Sequence, residues 1–101
     1  MAQITIREPN GVERTRPLPA AGLSVGRGPD NGLVLGYDKI SRHHVRIAYE
    51  AGAVYVTDLG SANGSYLSGT RLSPHMPVIW SANQPLQLGD VTIHLTSSQA
   101  L

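Results

Sequence analysis

Short runs of alternating apolar and polar residues recur along this chain and predict β-strands. The run QITIRE at 3–8 alternates strictly, as expected of a strand with one buried face. Comparable runs rich in valine, isoleucine and leucine lie at 23–27, 32–36, 44–50, 53–59, 77–80, 86–88 and 91–95. No segment of useful length repeats with the period of a helix. The pattern therefore predicts a chain built from short strands.

Turn signals separate the predicted strands. The chain has 11 glycines and 7 prolines, concentrated in segments such as PNG, GPDNG, GSANG and SPHMP, where a positive or fixed φ is useful. Short strands that alternate with such turns indicate an all-β sandwich or barrel. An immunoglobulin domain is disfavoured because its paired cysteines are missing.

Composition excludes several classes of function. A length of 101 residues fits one domain, and the absence of cysteine excludes disulfides and thiolate metal sites. A net charge of +1 gives no broad electrostatic footprint for nucleic acid. The chain has no signal-like start and no apolar run of the roughly 20 residues that a membrane span needs. We expect a soluble, cytoplasmic domain that does not insert into a membrane.

The segment KISRHH at 39–44 concentrates the candidate chemistry of the chain. His43 and His44 are adjacent, so in an extended chain they point to opposite faces and cannot share one metal. The other histidines, His75 and His94, are isolated, and no G-x-S-x-G elbow marks a hydrolase. We therefore expect neither a metal site nor an enzyme.

An anion site is the reading that these residues favour. Arg27 ends one predicted strand, Ser41 and Arg42 precede another, and GSANG at 60–64 follows a third. Arginines, a hydroxyl and glycine-rich turns supply the donors that a phosphate prefers. A sandwich could present all of these strand-end features at one end.

The chain resembles the forkhead-associated (FHA) domain, a module that binds phosphothreonine peptides. The resemblance covers roughly residues 3–96 and rests on Gly26–Arg27, Ser41-x-x-His44 and Asn63–Gly64, in the order and approximate spacing of the family. It implies a sandwich of two antiparallel β-sheets with about 11 short strands and ligand loops at one end. It places the domain at 1–96, with 97–101 as a polar tail or the start of a linker.

The resemblance also implies roles for individual residues. Arg27 and Ser41 would clamp the phosphate, with Arg42 in support. Asn63 would hold the main chain of the peptide. The structural residues would be Gly26, His44 and Gly64. Of these, His44 would brace the loops from beneath.

Two positions depart from the family pattern. Ala62 stands where many members carry a hydroxyl residue, so it offers the phosphate only its backbone N–H. Ser68 replaces an asparagine that reaches along the peptide, and we place it among the peptide-binding residues with a shorter reach. We expect the phosphate site to survive and the affinity or selectivity to differ.

The implied partner is a phosphothreonine-containing protein or peptide, a Ser/Thr kinase substrate, with no cofactor. The same departures leave an alternative open, an FHA-like scaffold that binds its partner without phosphate. Lys39 and His43 are expected at the rim of the site.

Overall fold

The computed structural model describes residues 2–97 and contains eleven strands and no helix in that range. The strands are β1 Ala2–Arg7, β2 Glu13–Pro17, β3 Leu23–Gly26, β4 Leu33–Val34, β5 Val45–Glu50, β6 Ala53–Asp58, β7 Ser65–Leu67, β8 Thr70–Arg71, β9 Val78–Ile79, β10 Leu86–Leu88 and β11 Val91–Ser97. The all-β prediction is therefore confirmed. β11 continues through Ser97, and the rest of the predicted tail, 98–101, lies outside the described residues.

Two sheets form the layers of the sandwich. The six-stranded sheet has the order β2-β1-β11-β10-β7-β8, and the five-stranded sheet has the order β4-β3-β5-β6-β9. Inward side chains of the two sheets make one core, in which Ile4, Ile6 and Ile93 of the first sheet and Val45 and Ile47 of the second are almost completely buried. The strict alternation of β1 thus becomes its alternating burial.

One pair of strands departs from the antiparallel expectation. The two-residue strand β4 runs parallel to β3, whereas the other paired strands of residues 2–97 are antiparallel. The loop at 27–32 accounts for the parallel direction. It returns the chain along β3, so that β4 begins beside Val25 and runs the same way as β3. There the N–H of Gly32 donates to the hydroxyl of Ser24 at 3.0 Å.

The five-stranded sheet gathers its loops at one end. Val25 of β3 pairs with Val45 of β5, which pairs with Asp58 of β6. Because these neighbours are antiparallel, the end of β3, the start of β5 and the end of β6 lie at the same end of the sheet. The loops at 27–32, 35–44 and 59–64 therefore leave the sandwich together.

Trp80 closes the core beside β6, and its replacement should lower the stability of the domain. Its side chain is 2% exposed, and its indole N–H donates to the carbonyl of Gln84 at 2.7 Å. Trp80→Ala should lower the free energy of unfolding by about 3–5 kcal/mol, since it leaves a cavity and an unpaired carbonyl. The neighbouring Ile79 is 54% exposed, so Ile79→Ala is the matched control and should cost less than about 1 kcal/mol. Urea unfolding of both variants measures the contrast, and equal losses would contradict this account of the core.

Candidate functional site

Backbone hydrogen bonds extend the β3–β5 pairing into the loops. The N–H of Arg27 donates to the carbonyl of Ser41 at 2.9 Å, and the N–H of Gly28 donates to the carbonyl of Arg42 at 3.0 Å. The close approach requires Gly26, because a Cβ at that position would lie 2.2 Å from the carbonyl oxygen of Arg42. The two candidate phosphate segments are thus held edge to edge.

Asn31 locks the same two loops from within. Its side chain is buried, and its Nδ2 donates to the carbonyl of Gly28 at 2.7 Å and to that of Arg42 at 2.8 Å. This role is not visible in the sequence, because Asn31 lies in GPDNG, where an asparagine is typical of any turn. Its amide fixes the backbone on which the two arginine side chains stand.

Arg27 and Arg42 present unused donors at one surface depression. Together with Gly28 and Pro29 they line a cleft of about 140 Å³, and both side chains are exposed. Within residues 2–97, Arg27 uses only its Nε, which donates to the carbonyl of Ile40 at 3.1 Å, and the guanidinium of Arg42 makes no hydrogen bond or ion pair. Four of the five other arginines donate to a carboxylate or a carbonyl: Arg7, Arg14, Arg16 and Arg46. The fifth, Arg71 of β8, makes no such bond within residues 2–97, but it does not line this depression.

Ser41 lies between the arginine depression and the loop at 59–64. Its Oγ accepts a hydrogen bond of 2.9 Å from the backbone N–H of Ala62. The hydroxyl proton is therefore not needed for that bond and remains available to another acceptor. Ala62 orients the serine although it has no side-chain hydroxyl of its own.

His44 is completely buried and joins two loops. Its Nδ1 accepts a hydrogen bond of 3.0 Å from the N–H of Ser41, so the proton of the neutral ring is on Nε2. That Nε2 lies 2.9 Å from the carbonyl of Gly64, to which it donates. The ring of His44 therefore lies buried between the two loops, whereas the adjacent His43 is exposed.

Asn63 faces a second and larger depression. Its Nδ2 donates to the carbonyl of Lys39 at 3.0 Å, which leaves its Oδ1 and one N–H for other partners. The groove has a volume of about 520 Å³ and is lined by Lys39, Asn63, Tyr66, Gly69, Gln87 and Gly89. A chain crossing from the arginine depression to this groove would pass the Asn63 side chain.

Glycines and one strained serine shape the far side of this groove. Gly64 has φ +84°, and a Cβ on it would lie 2.8 Å from Nε of Arg71. Ser68 and Gly69 form the two-residue turn between β7 and β8, with φ values of 50° and 81°. Positive φ at both positions is the geometry of a type I′ hairpin turn. Ser68 is exposed at its tip, and Gly69 rather than Ser68 lines the groove of Asn63.

The FHA domain family matches this chain over residues 23–89, the range that contains both depressions. The chain belongs to the FHA domain family. Among curated proteins it is similar to the FHA domain-containing protein FhaB of Mycolicibacterium smegmatis, with 37% identity over 71 residues that cover 70% of this chain and 44% of FhaB. It is also similar to the probable E3 ubiquitin-protein ligase dma1 of Schizosaccharomyces pombe, with 38% identity over 66 residues, or 61% of this chain and 25% of the ligase. The chain thus spans less than half of either relative.

Solved structures share the FHA fold with this chain. The FHA domain of CT664 from Chlamydia trachomatis superposes with a TM-score of 0.81 at 27% identity, and covers 97% of this chain and 98% of that domain. EmbR of Mycobacterium tuberculosis, solved in complex with a low affinity phosphopeptide, superposes with a TM-score of 0.83 at 26% identity, over 99% of this chain and 25% of EmbR.

Asp58 is a buried residue of this FHA domain that the sequence analysis missed. Its carboxylate is 2% exposed and accepts hydrogen bonds from the hydroxyls of Ser61 and Ser65 and the backbone N–H groups of Gly60 and Ser61. Burial alone would raise the pKa of Asp58, but these four donors outweigh it and hold the pKa below the ordinary value of 3.8. The anion thereby shapes the loop that carries Ala62 and Asn63. The only sequence signal was an aspartate at the end of a predicted strand, just before the turn GSANG, where a solvated residue is equally common.

Residues 2–97 contain no group of three or more His, Cys, Asp or Glu side chains placed to hold a metal ion. No helix of that range is long and apolar enough to cross a membrane.

Replacement of Asp58 should change the pH dependence of stability. Asp58→Asn should lower the free energy of unfolding at neutral pH by about 2–3 kcal/mol, because an amide cannot accept all four bonds. The folded-state pKa lies below the unfolded value of 3.8, so the advantage of the wild type is complete well above pH 3.8 and is lost as the pH falls through the folded-state pKa. Urea unfolding at a series of pH values measures the difference. A difference that stays constant in acid would contradict the assignment.

The adjacent histidines should differ sharply under substitution. His44→Ala leaves the N–H of Ser41 and the carbonyl of Gly64 without their partners, so it should cost about 2–4 kcal/mol of unfolding free energy. His43→Ala is the control and should change stability by less than about 1 kcal/mol, since the side chain is exposed. Thermal and urea denaturation provide the readout, and similar losses for both variants would refute the bracing role.

Proposed function

We propose that this FHA domain binds phosphothreonine peptides and that Arg27, Arg42 and Ser41 receive the phosphate. The observation that carries the proposal is the pair of arginines with unused donors at one depression. A phosphate dianion accepts several charge-assisted hydrogen bonds, and a guanidinium can supply two at once. Support also comes from the solved EmbR complex, which contains a phosphopeptide.

Ser41 is the hydroxyl donor in this proposal. Its oxygen already accepts from Ala62, so its proton can turn to a phosphate oxygen while that bond is kept. Ala62 then contributes mainly by orienting Ser41, because a direct bond from its N–H would break the present one. A hydroxyl residue at position 62 would add a phosphate donor that this chain lacks, and we expect lower affinity as the result.

Asn63 and Ser68 form the peptide side of the proposed site. The free Oδ1 and N–H of Asn63 match the donor and acceptor of one peptide unit, so the side chain can hold the main chain of the ligand. The peptide would then continue over the larger groove towards the turn of Ser68 and Gly69. Ser68 is short and lies at the tip of that turn, so we assign it a contact only to the far part of the peptide.

The partner would be a protein phosphorylated on threonine by a Ser/Thr kinase, met in the cytoplasm. The domain itself would act as a binding module and not as an enzyme. Because the chain spans less than half of FhaB, any activity of a longer parent protein would belong to its other segments.

Binding should require both the phosphate and Arg27. A titration with a phosphothreonine peptide library and its unphosphorylated twin gives the reference affinity. Arg27→Ala should weaken binding by about a hundredfold or more, because truncating one partner of a desolvated charge pair costs roughly 2–5 kcal/mol. Ser41→Ala should weaken it less, by about tenfold.

Arg7→Ala is the control, since the guanidinium of Arg7 is already paired with Glu13 at 2.6 Å. It should leave the affinity within about twofold of the wild type. Equal binding of phosphorylated and unphosphorylated peptides would favour the phosphate-independent scaffold instead. Loss of binding in the Arg7 variant would show that general charge, not this depression, drives association.

A further inference from the structure

An exposed carboxylate stands at the rim of the arginine depression. A Cβ on Gly28 would lie 2.8 Å from Cγ of Arg42 and 2.8 Å from Oδ1 of Asp30. Both side chains therefore flank the same glycine, which itself lines the depression. Asp30 is the acidic residue that the turn GPDNG places beside the proposed phosphate position.

The carboxylate of Asp30 lies beside His43 and near Arg42. Its Oδ2 lies 2.8 Å from Nε2 of His43, and the two side chains are 62% and 49% exposed, respectively. The hydrogen bond with His43 lowers the pKa of Asp30, and its own backbone N–H and the charges of His43 and Arg42 act in the same direction. The carboxylate is thus ionised at neutral pH. Arg42 is near enough for its charge to act on this carboxylate, and it has no ion pair within residues 2–97.

Asp30 is not needed to hold the loops together. The backbone bonds of Arg27 and Gly28 and the two bonds of the buried Asn31 amide already join the segments at 27–31 and 41–42. An exposed ion pair adds little stability to such an arrangement. The carboxylate therefore calls for a role that concerns its charge.

We infer that Asp30 is an internal counter-anion, which competes with the bound phosphate for Arg42 and His43. It thereby lowers the affinity for a phosphopeptide and shortens the lifetime of the complex. This inference rests on the proposed function. Carboxylate and phosphate oxygens accept from the same donors, and a phosphate in the depression would place like charges side by side. Asp30 must withdraw when the phosphate arrives, and this frees the ring of His43 to turn towards the ligand.

Removal of the charge should tighten binding. Asp30→Asn should raise the affinity for phosphothreonine peptide about threefold to tenfold, mainly through slower dissociation, because one nearby like charge disappears. Asp30→Ser removes the same charge, keeps a residue suited to the turn and should act alike. The gain should shrink as NaCl is raised from about 20 to about 500 mM, since salt screens exposed charges. A role in folding alone would not depend on salt in this way.

Glu50→Gln is the matched control for net charge. Glu50 is exposed at the other end of β5 from Val45, at roughly 17 Å for a six-residue strand. That distance exceeds the screening length of about 8 Å in physiological salt. The affinity of this variant should equal that of the wild type.

Inorganic phosphate is the second probe, because it separates this inference from the proposed function. Its binding can be followed by NMR through the side-chain N–H signals of Arg27 and Arg42 and the ring signals of His43. The inference requires tighter phosphate binding by both Asp30 variants, together with a change in the His43 ring signals. If phosphate behaves so but no phosphothreonine peptide binds better than its unphosphorylated twin, the counter-anion stands and the proposed function fails. If both Asp30 variants bind the phosphopeptide or phosphate no better than the wild type, the counter-anion is refuted and the proposed function stands on the Arg27 result.

Discussion

The loops of the site depend on one buried imidazole. His44 accepts the N–H of Ser41 on one side and donates to the carbonyl of Gly64 on the other, so a single ring sets the separation between the two loops. It can do so because Val25, Val45 and Asp58 form one row across three strands, from which these loops leave in the same direction. A ring with one acceptor and one donor is well suited to bridge an N–H and a carbonyl without charge.

Two other buried polar groups also hold these loops in place. The amide of Asn31 closes the arginine loops, and the carboxylate of Asp58 closes the loop of Ala62 and Asn63. Each group satisfies backbone atoms that would otherwise be unpaired in a crowded region. The ordering of these loops therefore takes place during folding. Because these loops are already ordered, they lose less conformational entropy when a ligand binds.

The sequence predicted the strands in which apolar and polar residues alternate and the segments with distinctive residue types. Alternation predicted β1, β5, β6 and β11 because one face of each is buried. It did not single out β2, whose side chains are mostly exposed, or β7 and β8, which are too short to show a period. The parallel direction of β4 was missed because two residues carry no signal of direction.

The same limit applies to the site. Arg27, Ser41 and Asn63 could be proposed from the sequence because strand-end arginines, a hydroxyl and an Asn-Gly pair are distinctive there. Asp58 and Asn31 were missed because a short polar residue at the end of a strand or in a turn looks the same in sequence whether it is solvated or buried. Only the fold shows which of these residues lies beneath a loop.

The buried polar groups hold the loops, whereas part of the proposed site is free of that duty. His44, Asp58 and Asn31 are buried, while the exposed guanidinium of Arg42 makes no hydrogen bond within residues 2–97. Outward positions can therefore change during evolution without loss of the framework. That division is in keeping with an FHA domain of Chlamydia trachomatis that shares 27% of its residues with this chain at a TM-score of 0.81. Exposed side chains of the site can thus be substituted while the buried groups keep the loops in place. New binding preferences can therefore arise at little cost in stability.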